Sequence, residues 1–377
     1  MKILLISNYY NHHQKPFCDE LYQRMQMDFS FIATGVMSRE RKKLGYGQDS
    51  IPAYVLDVHQ DKEKLQRAIQ MINAADIVIA GATPEILLSE RLRKGKIVFR
   101  YTERPFKQKI SLARRAYHTL RFKCRDLGDR NVYLLCAGVY AAEDFASMGM
   151  YRGRMLRWGY FPAVKEYDPA HLLAHKRNHT MLWCGRFLDW KHPDDAIKVA
   201  RILRDNGYDF DLNIIGTGTM EAELRQLVED YNLSGCVHFL GSMPPDQVRF
   251  YMEEAGVFLM TSDRQEGWGA VLNEAMNSAC AVVAGDSIGS ASFLIQNGVN
   301  GLVYSSTNTD ELYDRVCSLL CDSAEQKRLG NSAYQTMLSL WNHRTAADRL
   351  LQLSDRLLAG ETDLELFSDG PGSLIRT

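Results

Sequence analysis

The sequence lacks several features that would assign it to a membrane, secreted or disulfide-rich class. It has no apolar run of about 18 residues, the length that a membrane-spanning helix needs. Residues Met1 to Ser7 carry only five apolar residues before polar ones follow, so they do not resemble a secretory leader. The eight cysteines show no CxxC pairing, and we expect them to be buried free thiols. These absences predict a cytoplasmic protein.

The sequence also lacks the motifs of a nicotinamide-binding loop and of a metal site. The loop after the first apolar run, Asn8 to Lys15, contains no glycine, which argues against a nicotinamide-binding domain with its G-x-G-x-x-G turn. No His/Cys/Asp cluster has the spacing of metal ligands. Asp209 and Asp211 stand at the entry of a predicted strand, where a turn is the simpler interpretation. We therefore predict a site that uses no metal and no cofactor.

The formal net charge is only −1, but the charges are unevenly distributed. Between Arg91 and Arg130, fourteen lysines and arginines stand against three acids. Within that stretch, 106–125 is predicted to be a basic amphipathic helix, with one apolar stripe formed by Ile110, Ala113, Tyr117, Leu120 and Cys124. The stripe either docks on the protein's own sheet or contacts an anionic membrane surface or an anionic lipid phosphate, which would make the protein peripheral on the inner face of the membrane. We do not expect nucleic-acid binding, because no stacking platform or recognition motif accompanies the charge.

Short apolar runs alternate with helical patterns throughout the 377 residues, which predicts an α/β fold with two doubly wound, Rossmann-like parallel sheets. We expect domains at 1–162 and 179–341, a linker at 163–178, a C-terminal helix at 342–359 and a loose tail at 360–377. The predicted strands of the first domain are 2–7, 29–34, 53–58, 76–80, 96–101 and 131–136. Those of the second are 181–184, 212–215, 236–240, 257–260, 280–284 and 301–304.

Two carboxylates, Glu266 and Glu274, stand eight residues apart after the predicted strand at 257–260. Between them lies Gly267-Trp268-Gly269, whose glycines let the backbone approach a ligand closely. Ligands of open parallel sheets bind beyond the carboxyl ends of the strands. Because carboxylates accept hydrogen bonds from hydroxyl groups, this segment is suited to a sugar.

Other polar and glycine residues follow neighbouring strands of the second half. Arg186 and Lys191 come after its first strand and are able to neutralise a diphosphate and stabilise it as a leaving group, or they are ordinary surface charges. Gly216-Thr-Gly218 and Gly241-Ser242 follow the next two strands. They either wall a nucleotide pocket or form tight turns.

The motifs Gln265-Glu-Gly-Trp-Gly-Ala-Val-Leu-Asn-Glu-Ala-Met, Ala281-Val-Val-Ala and Asn297-Gly-Val-Asn-Gly-Leu-Val resemble the retaining glycosyltransferases of family 4, which have the GT-B fold. Ile214-Ile-Gly-Thr-Gly and Val237-His-Phe-Leu-Gly, together with Gly185-Arg186, support the resemblance. It covers residues 181–341 well and the first half only in architecture. It implies two domains that face a central cleft, with the final helix at 342–359 crossing back to the first domain.

The resemblance implies transfer of a sugar from a UDP- or GDP-sugar to a glycan or lipid-linked acceptor, with retention of anomeric configuration. Arg186 and Lys191 would bind the diphosphate, Glu266 the reacting sugar, and Glu274 the ribose. The main-chain N–H groups of Trp268 and Gly269 would help to place sugar and phosphate.

On the acceptor side the chain departs from the family, since its first loop has no glycine pair and its strand at 96–101 continues into Thr102-Glu103-Arg104. We assign His12, His13, Glu103 and Arg104 to that side, with buried or loop-capping roles as the alternative. Two other functions remain open: a nucleotide-sugar epimerase, which needs no acceptor, and a non-catalytic nucleotide-sugar-binding protein.

Overall fold

A computed structural model describes residues 1–37, 51–108, 110–126, 131–306 and 308–376. Its first half forms a seven-stranded parallel sheet in the order β3-β2-β1-β4-β5-β6-β7. The strands are β1 Ile3–Ser7, β2 Phe29–Ala33, β3 Val55–Asp57, β4 Ile77–Ala80, β5 Val98–Thr102, β6 Val132–Ala137 and β7 Met155–Trp158. Every residue of β1, β4 and β6 is buried, as expected when helices cover both faces of a sheet.

The second half forms a six-stranded parallel sheet in the order β10-β9-β8-β11-β12-β13. Its strands are β8 Arg177–Cys184, β9 Asp211–Ile215, β10 Val237–Gly241, β11 Ala255–Met260, β12 Ala281–Gly285 and β13 Leu302–Tyr304. The chain therefore has two Rossmann-like α/β sheets, and the predicted fold class is confirmed.

Helices connect most successive strands in both sheets. They are α1 Lys15–Met25, α2 Lys62–Ala74, α3 Ser89–Arg93, α4 Leu112–Arg125, α5 Val139–Ser147, α6 Pro169–Ala174, α7 Pro193–Asp205, α8 Glu221–Asp230, α9 Pro245–Glu254, α10 Val271–Asn277, α11 Ala291–Leu294, α12 Thr309–Cys321, α13 Ser323–Ser339 and α14 His343–Leu358. Side-chain caps fix several of their starts: Asp61 accepts from the Lys64 N–H, Asn308 from Glu311 and Asn342 from Thr345. No helix of the described ranges is long and apolar enough to cross a membrane.

The chain divides into two compact units, Met1–Ala163 with Asn342–Thr377, and Val164–Trp341. In the first unit α14 packs along α1, and Arg24 pairs with Asp348 at 3.2 Å. The segment that we expected to be a linker, 163–178, instead belongs almost entirely to the second unit. It contains α6 and the start of β8, and the main-chain N–H of Lys165 donates to Asn277 at 2.9 Å.

The tail that we expected to be loose, 360–377, is held against the first sheet over its last described residues. Leu374 forms an antiparallel bridge with Leu156 of β7, which is the edge strand. The N–H of Arg157 donates to Ser373, and the N–H of Ile375 donates to Met155, both at 2.8 Å. The tail thus pairs the main-chain groups that the edge of a sheet leaves open, and sequence composition did not reveal this role.

Helix α4 also differs from its prediction. It begins at Leu112 rather than at 106, because the Ser111 side chain caps it by accepting from the N–H of Arg114 at 3.3 Å. Of the predicted apolar stripe, Ile110 packs on the apolar cluster around Phe145, but Tyr117 and Leu120 are 63% and 64% exposed. The helix packs instead through Phe122, which joins the apolar cluster around Phe145.

Part of the predicted basic surface is internal. Arg91 is fully buried and donates to four main-chain carbonyls, those of Ile72, Ala75, Asp76 and Ile97, at 2.6–2.8 Å. Burial lowers its pKa to about 10. Arg100 is also buried and pairs with Asp126 at 2.6 Å. These two arginines hold the first sheet and its helices together. Because they are buried, the exposed surface of residues 91–130 is less basic than the sequence count indicated.

Candidate functional site

The loops after β8, β9 and β10 lie side by side at the carboxyl edge of the second sheet. The N–H of Phe187 donates to Thr217, and the N–H of Gly216 donates to Gly241, both at 2.9 Å. Glycine is required here, since a Cβ on Gly216 would lie 1.8 Å from the Gly185 carbonyl oxygen and one on Gly218 2.4 Å from that of Phe187. The predicted glycine loops therefore do share one edge, with Ser242 exposed just after β10.

The loop after β11 is joined to the loop after β8 by side-chain and main-chain hydrogen bonds. The N–H of Asp263 donates to the Trp190 carbonyl at 2.9 Å. Thr261 is buried, donates to the carbonyl of Lys191 at 2.7 Å and accepts from the indole of Trp183 at 2.8 Å. Thr261 and Trp183 thus fix the main chain that carries Lys191, and the sequence patterns did not identify either residue.

Lys191 and Glu266, which lie 75 positions apart in the sequence, form an ion pair in which Lys191 Nζ donates to Glu266 Oε2. Ser262 Oγ also donates to that oxygen, at 3.3 Å. The Lys191 and Glu266 side chains are 13% and 12% exposed. The structure therefore brings two predicted site residues into direct contact and orients the carboxylate of Glu266 through a third, Ser262.

Arg186 lies on the same loop as Lys191, but its side chain is exposed. No described residue forms an ion pair or hydrogen bond with its guanidinium. Because Lys191 is already paired with Glu266, Arg186 supplies a positive charge that is open to an anion at this edge.

Glu274 lies in the first turn of α10, the helix that follows the Gly-Trp-Gly loop. It is partly buried, and burial raises the pKa of its carboxyl group, an effect that the nearby Arg249 opposes. Burial and the charge of Glu274 together raise the pKa of Cys184, the last residue of β8, to about 12. Glu274 therefore lies close to the end of the central strand, and its carboxylate accepts no hydrogen bond from any described side chain.

Aromatic rings pack together within and beneath the main chain of the Gly267-Trp268-Gly269 loop. Trp268 is fully buried, and its indole donates to Asn273 at 2.9 Å. Its ring packs against Trp341 at a centroid distance of 5.8 Å. Trp268 as a whole is closed to solvent, whereas the next residue, Gly269, is partly exposed. The contribution of Trp341 was not predicted, because 73 residues separate it from Trp268 and no local pattern links them.

The segment after β12 also supports this loop. Ser290 is buried and its hydroxyl donates to the carbonyl of Trp268 at 2.5 Å. A Cβ on Gly289 would lie 1.9 Å from the Gly267 carbonyl oxygen. Gly269 has a φ of +83°, a conformation that favours glycine. The loop that carries Glu266 is thus fixed by close main-chain contacts on both sides.

In the first unit, three of the residues that we assigned to the acceptor side lie near one another. His12 and His13 have ring centroids 3.7 Å apart. Tyr160 stacks on His13 at 5.7 Å, and its hydroxyl donates to Glu103 at 2.7 Å. Tyr160 therefore links the loop after β1 to the loop after β5, and sequence reasoning missed it because it follows β7, far along the chain.

Arg104 has a buried role, which we had named as the alternative to an acceptor contact. Its guanidinium is buried and donates to Asp144 at 3.1 Å, and it lies over the ring of Tyr140 at 4.9 Å. The N–H of Phe106 donates to the same carboxylate. The charge of Arg104 is neutralised inside the unit, so this residue is not placed as an acceptor contact.

Comparison with known proteins is consistent with this geometry. Residues 164–336 match the family model of the glycosyl transferases group 1. Over 182 residues the chain is 29% identical to the amylovoran biosynthesis glycosyltransferase AmsK of Erwinia amylovora, covering 47% of this chain and 44% of AmsK. It is 27% identical to the putative colanic acid biosynthesis glycosyltransferase WcaL of Salmonella typhimurium, covering 48% and 43%. The chain thus spans less than half the length of these curated relatives.

Solved structures share the whole architecture. HepE of Anabaena, solved in complex with UDP, superposes with a TM-score of 0.68 at 15% identity, covering 96% of this chain and all of HepE. Sucrose-phosphate synthase of Thermosynechococcus elongatus gives a TM-score of 0.66 at 16% identity, covering 96% and 100%. Residues 164–336 are therefore similar to the glycosyl transferases group 1, and the chain has the GT-B fold.

Proposed function

We propose that this protein is a retaining glycosyltransferase that moves a sugar from a UDP- or GDP-sugar to a glycan or lipid-linked acceptor in polysaccharide biosynthesis. The match of residues 164–336 to the glycosyl transferases group 1 supports the transferase activity. The names of AmsK and WcaL, which refer to amylovoran and colanic acid, support the pathway class. The complex of HepE with UDP supports a nucleotide-linked donor.

One observation carries the proposal: the loops after β8 and β11 bring Lys191 and Glu266 into contact beside the open charge of Arg186. A sugar diphosphate needs positive charge at its phosphates and hydrogen-bond acceptors at its hydroxyls, and this edge offers both within a few residues.

In the proposed reaction, Arg186 and Lys191 bind the donor diphosphate. As the bond between the anomeric carbon and the phosphate oxygen breaks, negative charge grows on the leaving phosphate. Positioned cations stabilise that charge more in the transition state than in the ground state. The diphosphate competes with Glu266 for Lys191, so donor binding loosens the ion pair and makes the Glu266 carboxylate available to the sugar.

Glu266 then accepts hydrogen bonds from donor sugar hydroxyls near the reacting carbon, and Ser262 keeps its carboxylate oriented. Glu274, whose carboxylate accepts no hydrogen bond from a described side chain, accepts from the ribose hydroxyls. The main-chain N–H of Gly269, which is partly exposed, binds a sugar or phosphate oxygen. The proposed acceptor contacts in the first unit are His12, His13, Glu103 and Tyr160, since aromatic rings and carboxylates are suited to glycan hydroxyls and ring faces.

The test is donor turnover followed by proton nuclear magnetic resonance with UDP-glucose, UDP-N-acetylglucosamine, UDP-galactose and GDP-mannose. We expect one donor to be hydrolysed slowly without acceptor, with the α-anomer of the sugar appearing first. Glu266→Gln should slow this about 10²–10³-fold, as the loss of a group acting in the transition state does. The matched variant Glu229→Gln, on the exposed face of α8, should be unaffected.

Three results would contradict the proposal in different ways. Initial release of the β-anomer would indicate inversion rather than retention. Interconversion of the donor sugar, with the nucleotide still attached, would indicate an epimerase. Tight donor binding without turnover of any of the four sugars would indicate a binding protein.

A further inference from the structure

Helix α4 exposes large apolar side chains to solvent along one side. Leu112, Tyr117 and Leu120 are 85%, 63% and 64% exposed. Arg114 and Arg121 are exposed on the same helix. We refer to these five residues as the outer face of α4. Exposed apolar groups in a row along a helix mark a contact surface more often than isolated ones do.

The opposite side of α4 already makes the contacts that hold the helix on its unit. Phe122 packs against Phe145 with ring centroids 5.4 Å apart. His118 contacts Phe106, and Arg115 donates to the Ser147 hydroxyl at 2.6 Å. The helix is therefore anchored without using its outer face, so the exposure of Tyr117 and Leu120 is not explained by packing within the unit.

The charge of the helix is of one sign. From Leu112 to Arg125 there is no acidic residue, whereas Arg114, Arg121 and Lys123 are all exposed. A helix with apolar residues on one side and flanking arginines lies in the plane of a lipid–water interface, with its apolar side about 5–10 Å deep. Arginine side chains reach the phosphate groups from that depth because their aliphatic stems tolerate apolar surroundings.

A cavity of about 540 Å³ opens at the C-terminal end of the same face. Cys124, one turn after Leu120, lines it together with Ile86 and Leu92. Ile86 is 77% exposed at the rim. The apolar row from Tyr117 through Leu120 thus continues into a space of the size that ligand pockets have.

Three of the charged groups that line the cavity, Glu85, Arg125 and Asp126, are paired, whereas Arg93 donates only to the Ser89 carbonyl among the described residues. Asp126 accepts from Arg100 at 2.6 Å and from Arg125 at 2.8 Å, and Glu85 pairs with Arg100 at 2.9 Å. Burial alone would raise the pKa of Asp126, but the two arginines hold it below its usual range. With Glu85, Arg125 and Asp126 paired, these three groups need no further ion, and Ile86, Leu92 and Cys124 offer apolar contacts to an occupant.

We propose that the outer face of α4 lies on an anionic phospholipid bilayer and that the cavity beside Cys124 receives an acyl chain from that bilayer. The apolar side chains bind the acyl region, and Arg114 and Arg121 bind the phosphate groups. The assignment does not depend on the donor site, because every residue that carries it lies in the first unit.

Two other occupants fit the observations less well. In a symmetric dimer the same patch meets itself, which would bring Arg114 and Arg121 of one copy against those of the other without an acid to separate them. Nucleic acid would satisfy the arginines, but it would leave Leu112, Leu120 and the apolar cavity without a partner. Both remain outcomes of the tests below.

The first test is sedimentation with vesicles of phosphatidylglycerol or phosphatidylcholine. We expect binding to phosphatidylglycerol that weakens in 0.5 M salt and little binding to phosphatidylcholine. Arg114→Gln and Arg121→Gln should each weaken binding roughly fivefold, and Tyr117→Ser with Leu120→Ser should abolish it. The matched controls are Arg201→Gln and Phe250→Ser, which alter exposed residues of the second unit and should bind as the unaltered protein does.

The second test uses the exposed thiol of Cys124 as a probe. A polarity-sensitive fluorophore is attached in a Cys321→Ser background, with Cys124→Ser as the labelling blank and thermal unfolding as the check of folding. We expect phosphatidylglycerol vesicles with brominated acyl chains to quench the fluorophore, and lipid-free protein to remain monomeric.

Vesicle binding without quenching would overturn the proposal, because the protein would then use another surface. Equal binding by the arginine variants, a dimer lost in Leu120→Ser, or tighter binding to an oligonucleotide than to vesicles would overturn it as well. Donor hydrolysis measured without vesicles should be the same in all α4 variants, so failure here is distinguishable from failure of the proposed transferase activity.

Discussion

The two sheets of this protein carry candidate sites at the same kind of edge but build them differently. At the carboxyl edge of the second sheet, loops meet through their main chains: the Gly216 position lies against Gly185, and Gly289 lies against Gly267. At the carboxyl edge of the first sheet, the residues that come together do so through side chains, with Tyr160 stacked on His13 and bonded to Glu103.

This difference determines how each site should respond to change. Where main chains touch, one added methyl group has no space, and the nearby backbone cannot move aside without displacing a strand end. Where side chains touch, a substitution removes a single contact and the loops keep their courses. We therefore expect a single substitution to cause a large loss of stability at the carboxyl edge of the second sheet and a small one at that of the first sheet.

The largest effect is expected from Gly216→Ala. Its Cβ would lie 1.8 Å from the Gly185 carbonyl oxygen, so one of the two loops has to move. Overpacking of this kind costs about 1–3 kcal/mol of unfolding free energy, and a main-chain clash should fall at the upper end. Urea denaturation measures it. Gly235→Ala, where the added Cβ meets nothing within 4 Å, should stay within about 0.5 kcal/mol of the unaltered protein. An equal loss of unfolding free energy in Gly216→Ala and Gly235→Ala would contradict the view that close main-chain contacts make the second edge sensitive.

Glu274→Gln should have two smaller effects of opposite sign, one on donor affinity and one on stability. Donor affinity should fall about tenfold, since the ribose hydroxyls lose a charged acceptor. Stability at pH 7 should rise instead. The pKa of Glu274 is raised above its ordinary value of 4.5, so the group stabilises the fold below that pH and loses this contribution as the pH rises through its folded pKa.

The difference in unfolding free energy between Glu274→Gln and the unaltered protein should therefore be present at pH 7 and vanish at pH 4, where both side chains are neutral. Urea denaturation at the two pH values, with nucleotide titration at pH 7, checks both parts. A stability gain at pH 4 with none at pH 7 would show that the sign of the pKa shift is wrong.

The smallest effect is expected from Tyr160→Phe. The variant removes the hydroxyl that donates to Glu103 and leaves the ring stacked on His13. Because Tyr160 is partly exposed, water replaces part of the lost bond, and stability should fall by about 1 kcal/mol. Donor affinity and donor hydrolysis should not change. A loss of donor affinity would mean that this cluster does not belong to a separate acceptor side.

The strands of the second sheet, and the position of several polar residues at its carboxyl edge, were predictable because their signals are local. All six predicted strands of the second half are present, since apolar runs of four to five residues between glycine turns are typical of buried parallel strands. Arg186, Lys191, Glu266 and Glu274 each follow such a strand or begin the next helix. Parallel strands bring their carboxyl ends to one edge, so sequence order alone placed these side chains together.

The features that were missed depend on contacts between distant segments. The tail bonds to β7 across more than 200 residues, and nothing in its glycine-rich composition indicates a strand partner. The stripe on α4 has the period of a docking face, yet Phe122 and His118 on the other side make the contacts. Periodicity shows that a helix has two sides, but it does not show which side a sheet will cover.

The central claim is that the carboxyl edge of the second sheet binds the nucleotide part of a sugar donor, and isothermal titration with UDP and GDP tests it most directly. We predict that one of the two nucleotides binds at a stoichiometry of one, and that Arg186→Met weakens it at least tenfold through loss of charge-assisted hydrogen bonds. The matched variant Arg152→Met should bind as the unaltered protein does. Unchanged affinity in Arg186→Met, or binding of neither nucleotide, would contradict the claim.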